Sequence, residues 1–141
     1  MVTDAEKMMK NYTAAWNLHD VNKILSFFTD DCIYEDVALG LVNHGKKELT
    51  DFINRITLAY PDFKFEVKSV FQAGDWLADE WVMTGTWAHS SNPKMPATGK
   101  KFSIRGASVQ ELRNGKIRRN SDYWDRVTFR QQVGLVPATS K

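Results

Sequence analysis

Residues 101–127 read KFSIRGASVQELRNGKIRRNSDYWDRV, two strand-forming runs either side of Asn114-Gly115. Asn-Gly supplies the positive φ angles that a tight two-residue turn requires, so this stretch is an antiparallel hairpin. A two-residue turn opposes Arg113 to Lys116. Continued without interruption, that register sets Glu111 against Arg118, Val109 against Asn120, Ala107 against Asp122 and Arg105 against Trp124. These eight residues share one side of the pair, and Arg105 becomes the diagonal neighbour of Asp122. An acid, an arginine and an indole are thereby expected together on one surface.

Upstream of the hairpin the pattern stays β. Phe63, Phe65, Val67 and Phe71 alternate with Lys64, Glu66, Lys68 and Gln72, a strand with one buried side. Gly74-Asp75 turns the chain into a strand over 76–87, and residues 88–99, with two prolines and Gly99, form a long loop. The first half carries the helical period instead. Ala5, Met8, Met9, Tyr12, Ala15 and Trp16 mark one helix face, opened by a Thr3/Glu6 capping box. Asp20 is the N-cap of a short helix bearing Val21, Ile24, Leu25 and Phe28. A strand over 32–37 follows, then a third helix with Leu49, Phe52, Ile53 and Ile56 inward, stopped by Pro61. Helices first and strands afterwards give an α+β domain, with the helices packed on one face of a curved antiparallel sheet.

Composition narrows the function. The chain has 141 residues, 43% hydrophobic and 12% aromatic, enough for one core without staples. A single cysteine, Cys32, excludes an internal disulfide and a cysteine zinc cage. A net charge of +2 without a dense basic stripe gives no footprint for nucleic acid. Apolar runs are too short to span a membrane, and the N-terminus has no hydrophobic signal region, so the expected place is the cytoplasm. The three histidines are not spaced with each other or with acids as a metal pair requires, and no cofactor is expected.

Trp16 with His19-Asp20, Tyr34-Glu35-Asp36, Tyr60-Pro61-Asp62-Phe63, Glu80-Trp81, Thr84-Gly85-Thr86, Pro96-Ala97-Thr98-Gly99, Asp122-Tyr123-Trp124-Asp125 and Gln131-Gln132-Val133-Gly134 run in order along the chain. In that order the sequence resembles the SnoaL-like polyketide cyclase group of the nuclear transport factor 2-like superfamily, related to ketosteroid isomerase. The resemblance implies that superfamily's cone-shaped fold, a strongly curved antiparallel sheet with three N-terminal-half helices packed on its concave face around an enclosed pocket. Tyr12 falls on the oxyanion-hole tyrosine of the isomerases and Asp36 on their general base. In the SnoaL-like group the acid/base is an aspartate of the last strand; Asp122 and Asp125 compete for it, and the lining parity Asn120, Asp122, Trp124 favours Asp122.

The expected catalytic set is therefore Asp122 as acid/base, Asp36 as a second carboxylate, Tyr12 as hydrogen-bond donor and Arg105 as orienting charge. Trp16, Phe28, Tyr34, Phe52, Tyr60, Asn120 and Trp124 are the expected substrate contacts; for Trp16, Phe28, Phe52, Tyr60 and Trp124 an ordinary core calls for the same residue types. The resemblance implies a cofactor-independent isomerase or cyclase taking a proton from beside the carbonyl of a small hydrophobic compound. Two alternatives use the same pocket: a binding protein without turnover, and a dehydratase or hydrolase. A homodimer through the outer sheet face is also expected, with Tyr123, Phe102 and Ile104 in the apolar patch.

Overall fold

The computed structural model describes residues 2–136. Helix α1 (Asp4–Asn17) starts at the Thr3/Glu6 capping box and buries Met9, Tyr12, Ala15 and Trp16. Asp20 caps α2 (Val21–Leu25) by accepting from the Lys23 amide. Then come β1 (Phe28–Asp36), β2 (Leu41–His44), α3 (Gly45–Ala59), β3 (Lys64–Ala73), β4 (Trp76–Thr86), β5 (Lys101–Arg113), β6 (Lys116–Trp124) and α4 (Arg126–Gln132). The fold is α+β. Among the described residues no helix is long and apolar enough to cross a membrane.

The six strands lie in the order β2-β1-β6-β5-β4-β3. The sheet is mixed, because β6 pairs parallel to β1 while every other pair is antiparallel. That corrects the all-antiparallel expectation: alternation along a strand fixes which side is buried but not the direction of a distant partner. The fourth helix, α4, also goes beyond the three expected. The chain leaves the sheet after Trp124, and Asp125 caps α4 by accepting from the Thr128 amide at 3.0 Å and the Thr128 hydroxyl at 2.7 Å.

Two bulges correct the sequence register. In the final hairpin Leu112 opposes Ile117 but Glu111 opposes Arg119, so Arg118 is an extra residue. Beyond it every partner moves by one: Ser108 stands against Asp122 and Gly106 against Trp124. A one-residue slip reverses sidedness on the partner strand. Phe102 and Ile104 consequently point into the core, and Arg105, paired with Val82, is exposed. In β3 the register shifts between Val67 and Ser69, which leaves Phe71 62% exposed instead of buried. The exposed sheet face keeps Phe71, Trp76, Val109 and Tyr123, without Phe102 and Ile104.

Candidate functional site

Between the helices and the inner sheet face lies a cavity whose polar floor is set by strand pairing. Asp36 of β1 pairs with Asp122 of β6, Asp122 with Ser108 of β5, and Ser108 with Asp79 of β4. One row thus crosses four adjacent strands as Asp–Asp–Ser–Asp, and all four side chains line the cavity. Around the row stand Tyr12 and Trp16 from α1, Tyr34 from β1, Phe52 and Tyr60 at α3, Trp81 from β4, Trp124 from β6 and Phe129 from α4. The rings meet edge-on or tilted, as at Tyr34–Phe52 with centroids 5.3 Å apart and Tyr60–Phe102 at 5.1 Å.

Asp122 is the most heavily bonded of the acids. Ser108 Oγ donates to its Oδ1 at 2.6 Å, Asn120 Nδ2 donates to the same oxygen at 2.9 Å, and the Tyr34 hydroxyl donates to Oδ2. Donor bookkeeping fixes these directions. The Trp81 indole can only donate, and it donates to Ser108 Oγ at 2.9 Å, so the single Ser108 proton points to Asp122. Gln110 Nε2 likewise donates to Asn120 Oδ1 at 2.9 Å and turns the Asn120 amide toward the acid. Burial nevertheless holds the Asp122 pKa above the usual carboxylate range, against the pull of Ser108, Tyr34 and Asn120.

Asp36 accepts from the Trp124 indole at 3.0 and 3.2 Å and from the Leu39 amide at 3.0 Å. Burial pushes it up to about 6, with the Leu39 bond opposing and Asp122 adding to the rise. Asp79 is pushed up to about 7, first by burial and then by Asp122, with Ser108 pulling back in part. Among the described residues the cavity wall carries no Lys, Arg or His; Arg126, outside the wall, lowers Asp36 less than its other neighbours act on it. Tyr12 and Tyr34 both sit well above the ordinary phenol value, by burial and then by Asp122, and are hydrogen-bond donors at neutral pH.

The structure therefore gathers Asp122, Asp36, Tyr12, Trp16, Tyr34, Phe52, Tyr60 and Trp124 around one space. Three expected site residues lie elsewhere. Arg105 is exposed beyond the sheet, carried there by the Arg118 bulge. Phe28 is wholly buried behind the wall, its ring 5.8 Å from Tyr12 and 6.0 Å from Tyr34. Asn120, 1% exposed, holds Asp122 instead of lining the cavity. Asp125, the rival acid, is a helix cap. Asp79, Ser108 and Trp81 were not expected in the site. Parity along 76–87 puts Asp79 on the side of Leu77, Trp81 and Met83, which is the signal that would have found it.

The model of the SnoaL-like polyketide cyclase family matches residues 6–133. The chain belongs to the SnoaL-like polyketide cyclase family. Among relatives it is similar to the cyclase aurE of Calcarisporium arbuscula, 31% identical over 105 residues that make up 74% of each chain. Among solved structures it resembles a protein of ketosteroid isomerase-like fold from Catenulispora acidiphila, in complex with trimethylamine. The TM-score is 0.80 at 20% identity, covering 96% of this chain and 98% of that one. It also resembles TsrD from Streptomyces laurentii, with TM-score 0.80, 18% identity and coverage of 93% and 95%. Family and cyclase relative together support a cyclase-type function; the two structures support the fold.

Proposed function

We propose that this SnoaL-like chain is a cofactor-independent cyclase whose substrate is a small hydrophobic compound carrying at least two carbonyl groups, with Asp122 as the base. The observation that carries this reading is the position of Asp122: in the cavity wall, oriented through both oxygens, without a cation to hold it permanently charged. A buried carboxyl with a raised pKa is a stronger base, once ionised, than one in water.

In the proposed reaction Asp122 carboxylate takes a proton from the carbon beside one carbonyl. The C–H electron pair moves into an enolate, whose carbon attacks the second carbonyl. A C–C bond forms, the π pair of that carbonyl becomes an alkoxide, and the alkoxide recovers a proton from Asp122. Asp36, paired directly with Asp122 across the β1–β6 ladder, is the second group able to hold the proton near neutral pH. The Tyr12 hydroxyl is the proposed donor to the enolate oxygen. Arg105 has no part in this scheme, and Tyr34, through its bond to Asp122, positions the base.

The test needs no knowledge of the natural substrate. The wild-type protein is expected to catalyse exchange of the α-protons of 1-tetralone in D2O, followed by NMR. Asp122→Asn should slow that exchange by at least ~100-fold while the protein remains folded. Exchange at the wild-type rate in Asp122→Asn would move the base elsewhere. No exchange by the wild type would favour the reading of a binding protein.

A further inference from the structure

One acid of the row has no assigned work. Asp79 is 6% exposed, lies on the inner face of β4 between Leu77 and Trp81, and lines the cavity. Its Oδ1 is buried and has no hydrogen-bond partner among the described residues. Ser108, its partner across the β4–β5 ladder, has already given its one hydroxyl proton to Asp122. From β3 the cavity neighbours are Phe65 and Val67, both apolar. The ionisable groups that influence Asp79 are the Asp122 carboxyl and, from α1, the Tyr12 hydroxyl, neither of them a cation. A buried polar atom left unpaired is costly, and a ligand that pairs it recovers that cost.

We infer that Asp79, carried as the neutral acid, is the residue that binds a carbonyl oxygen of the ligand, donating its O–H into the cavity and so selecting carbonyl compounds over hydrocarbons of the same shape. This rests on the reading that the cavity takes a hydrophobic carbonyl compound, but it does not require turnover. The neutral form prevails below about pH 7: burial and then the Asp122 charge raise the Asp79 pKa to about 7, against a partial pull from Ser108. A carboxylate there would present only acceptors and would repel a carbonyl oxygen.

The test compares 1-tetralone, an aromatic ketone, with tetralin, which has the same rings and no oxygen, by quenching of tryptophan fluorescence between about pH 5.5 and 8.5. The wild type should prefer 1-tetralone by roughly three- to tenfold at the acid end, the worth of one neutral hydrogen bond. That preference should disappear at the alkaline end. Asp79→Asn, whose amide N–H still donates, should keep the preference at every pH. Asp79→Leu should have none at any pH. Should Asp79→Leu not fold, the pH response of Asp79→Asn decides alone.

A preference that survives in Asp79→Leu, a pH dependence that persists in Asp79→Asn, or a wild type that binds neither compound overturns the assignment. The exchange assay separates this from the cyclase reading. Asp79-dependent binding without α-proton exchange would sink the cyclase and keep the oxygen site; exchange without an Asp79-dependent preference would do the reverse.

Discussion

Asp31 and Asp36 share strand β1, yet hydrogen bonding from Arg113 and Thr29 pulls the Asp31 pKa below the usual range while burial lifts Asp36 to about 6. The same division runs through the whole molecule. On the outside, Asp31, Asp62 and Asp125 are all lowered, each mainly by hydrogen bonds from neighbouring side chains and amides. Inside, Asp36, Asp79 and Asp122 are all raised, each mainly by burial. Hydrogen bonds alone do not separate the groups, since Asp122 accepts three of them. Loss of water does. The cationic partners of the acids lie outside too: Arg113 and Arg118 hold Asp31, and Lys46 holds Asp30. Inside, the Asp122 charge raises both Asp36 and Asp79, and Arg126 reaches Asp36 to a lesser degree.

The largest expected effect that sharpens this contrast is a pH dependence of opposite sign for the two groups. A carboxyl whose folded pKa is raised contributes stability that is fully present below its unfolded value and is lost as pH rises through the folded value. With Asp36 at about 6 and Asp79 at about 7, the protein should lose stability on the order of a few kcal/mol between about pH 4 and pH 8. Asp79→Asn should reduce that slope measurably in urea titrations across the range, leaving the part due to Asp36 and Asp122. A wild type equally stable at both ends would mean that the inner acids are not held neutral. The outer acids, with lowered values, work the other way, and their contribution disappears only as pH falls below about 4.

Next in size is a steric change beneath the row. A Cβ placed at Gly106 would overlap the outer ring atoms of Trp81. Gly106→Ala should therefore displace the indole, break its bond to Ser108 and destabilise the protein by about 1–3 kcal/mol, read from the urea midpoint. No loss of stability would show that the indole has room to move, and that the donor chain to Asp122 is looser than its geometry suggests. The smallest effects belong to the outer acids. Asp125→Ala should lower the melting temperature modestly by uncapping α4 and leave α-proton exchange unchanged. Asp31→Asn should barely move the melting temperature in ~0.15 M salt, because exposed ion pairs are screened.

The sequence revealed the helices and their caps because those signals are local: Thr3 with Glu6, and Asp20 before Val21, act within one turn. The Asn114-Gly115 turn was legible for the same reason, and both residues adopt the positive φ it needs. The bulge at Arg118 was not legible. Nothing in the chemistry of Arg118 and Arg119 marks an extra residue there, and whether one is present decides whether Ala107 or Ser108 meets Asp122. The β1–β6 pairing joins segments far apart in the chain, and it sets Asp36 beside Asp122. Asp79 reads from sequence as a polar group of the outer sheet face, because an acid among Leu77, Trp81 and Met83 contradicts the hydrophobic rule for a buried face; the structure buries it on the inner side. That contradiction is itself the mark of a site. The α4 cap was hidden by a strand-like run continuing through Val127.

The indole bonds give the protein built-in indicators. Trp124 donates directly to Asp36, and Trp81 reaches Asp122 through Ser108. An indole N–H resonance moves downfield as its acceptor gains charge, so each of these two carboxyls has a ring whose proton signal follows its ionisation. The Trp124 signal responds directly and the Trp81 signal through one hydroxyl. A simple one-dimensional proton spectrum recorded at several pH values thus follows Asp36 through Trp124, and the acids gathered at Ser108 through Trp81, without labelling, ligand or turnover.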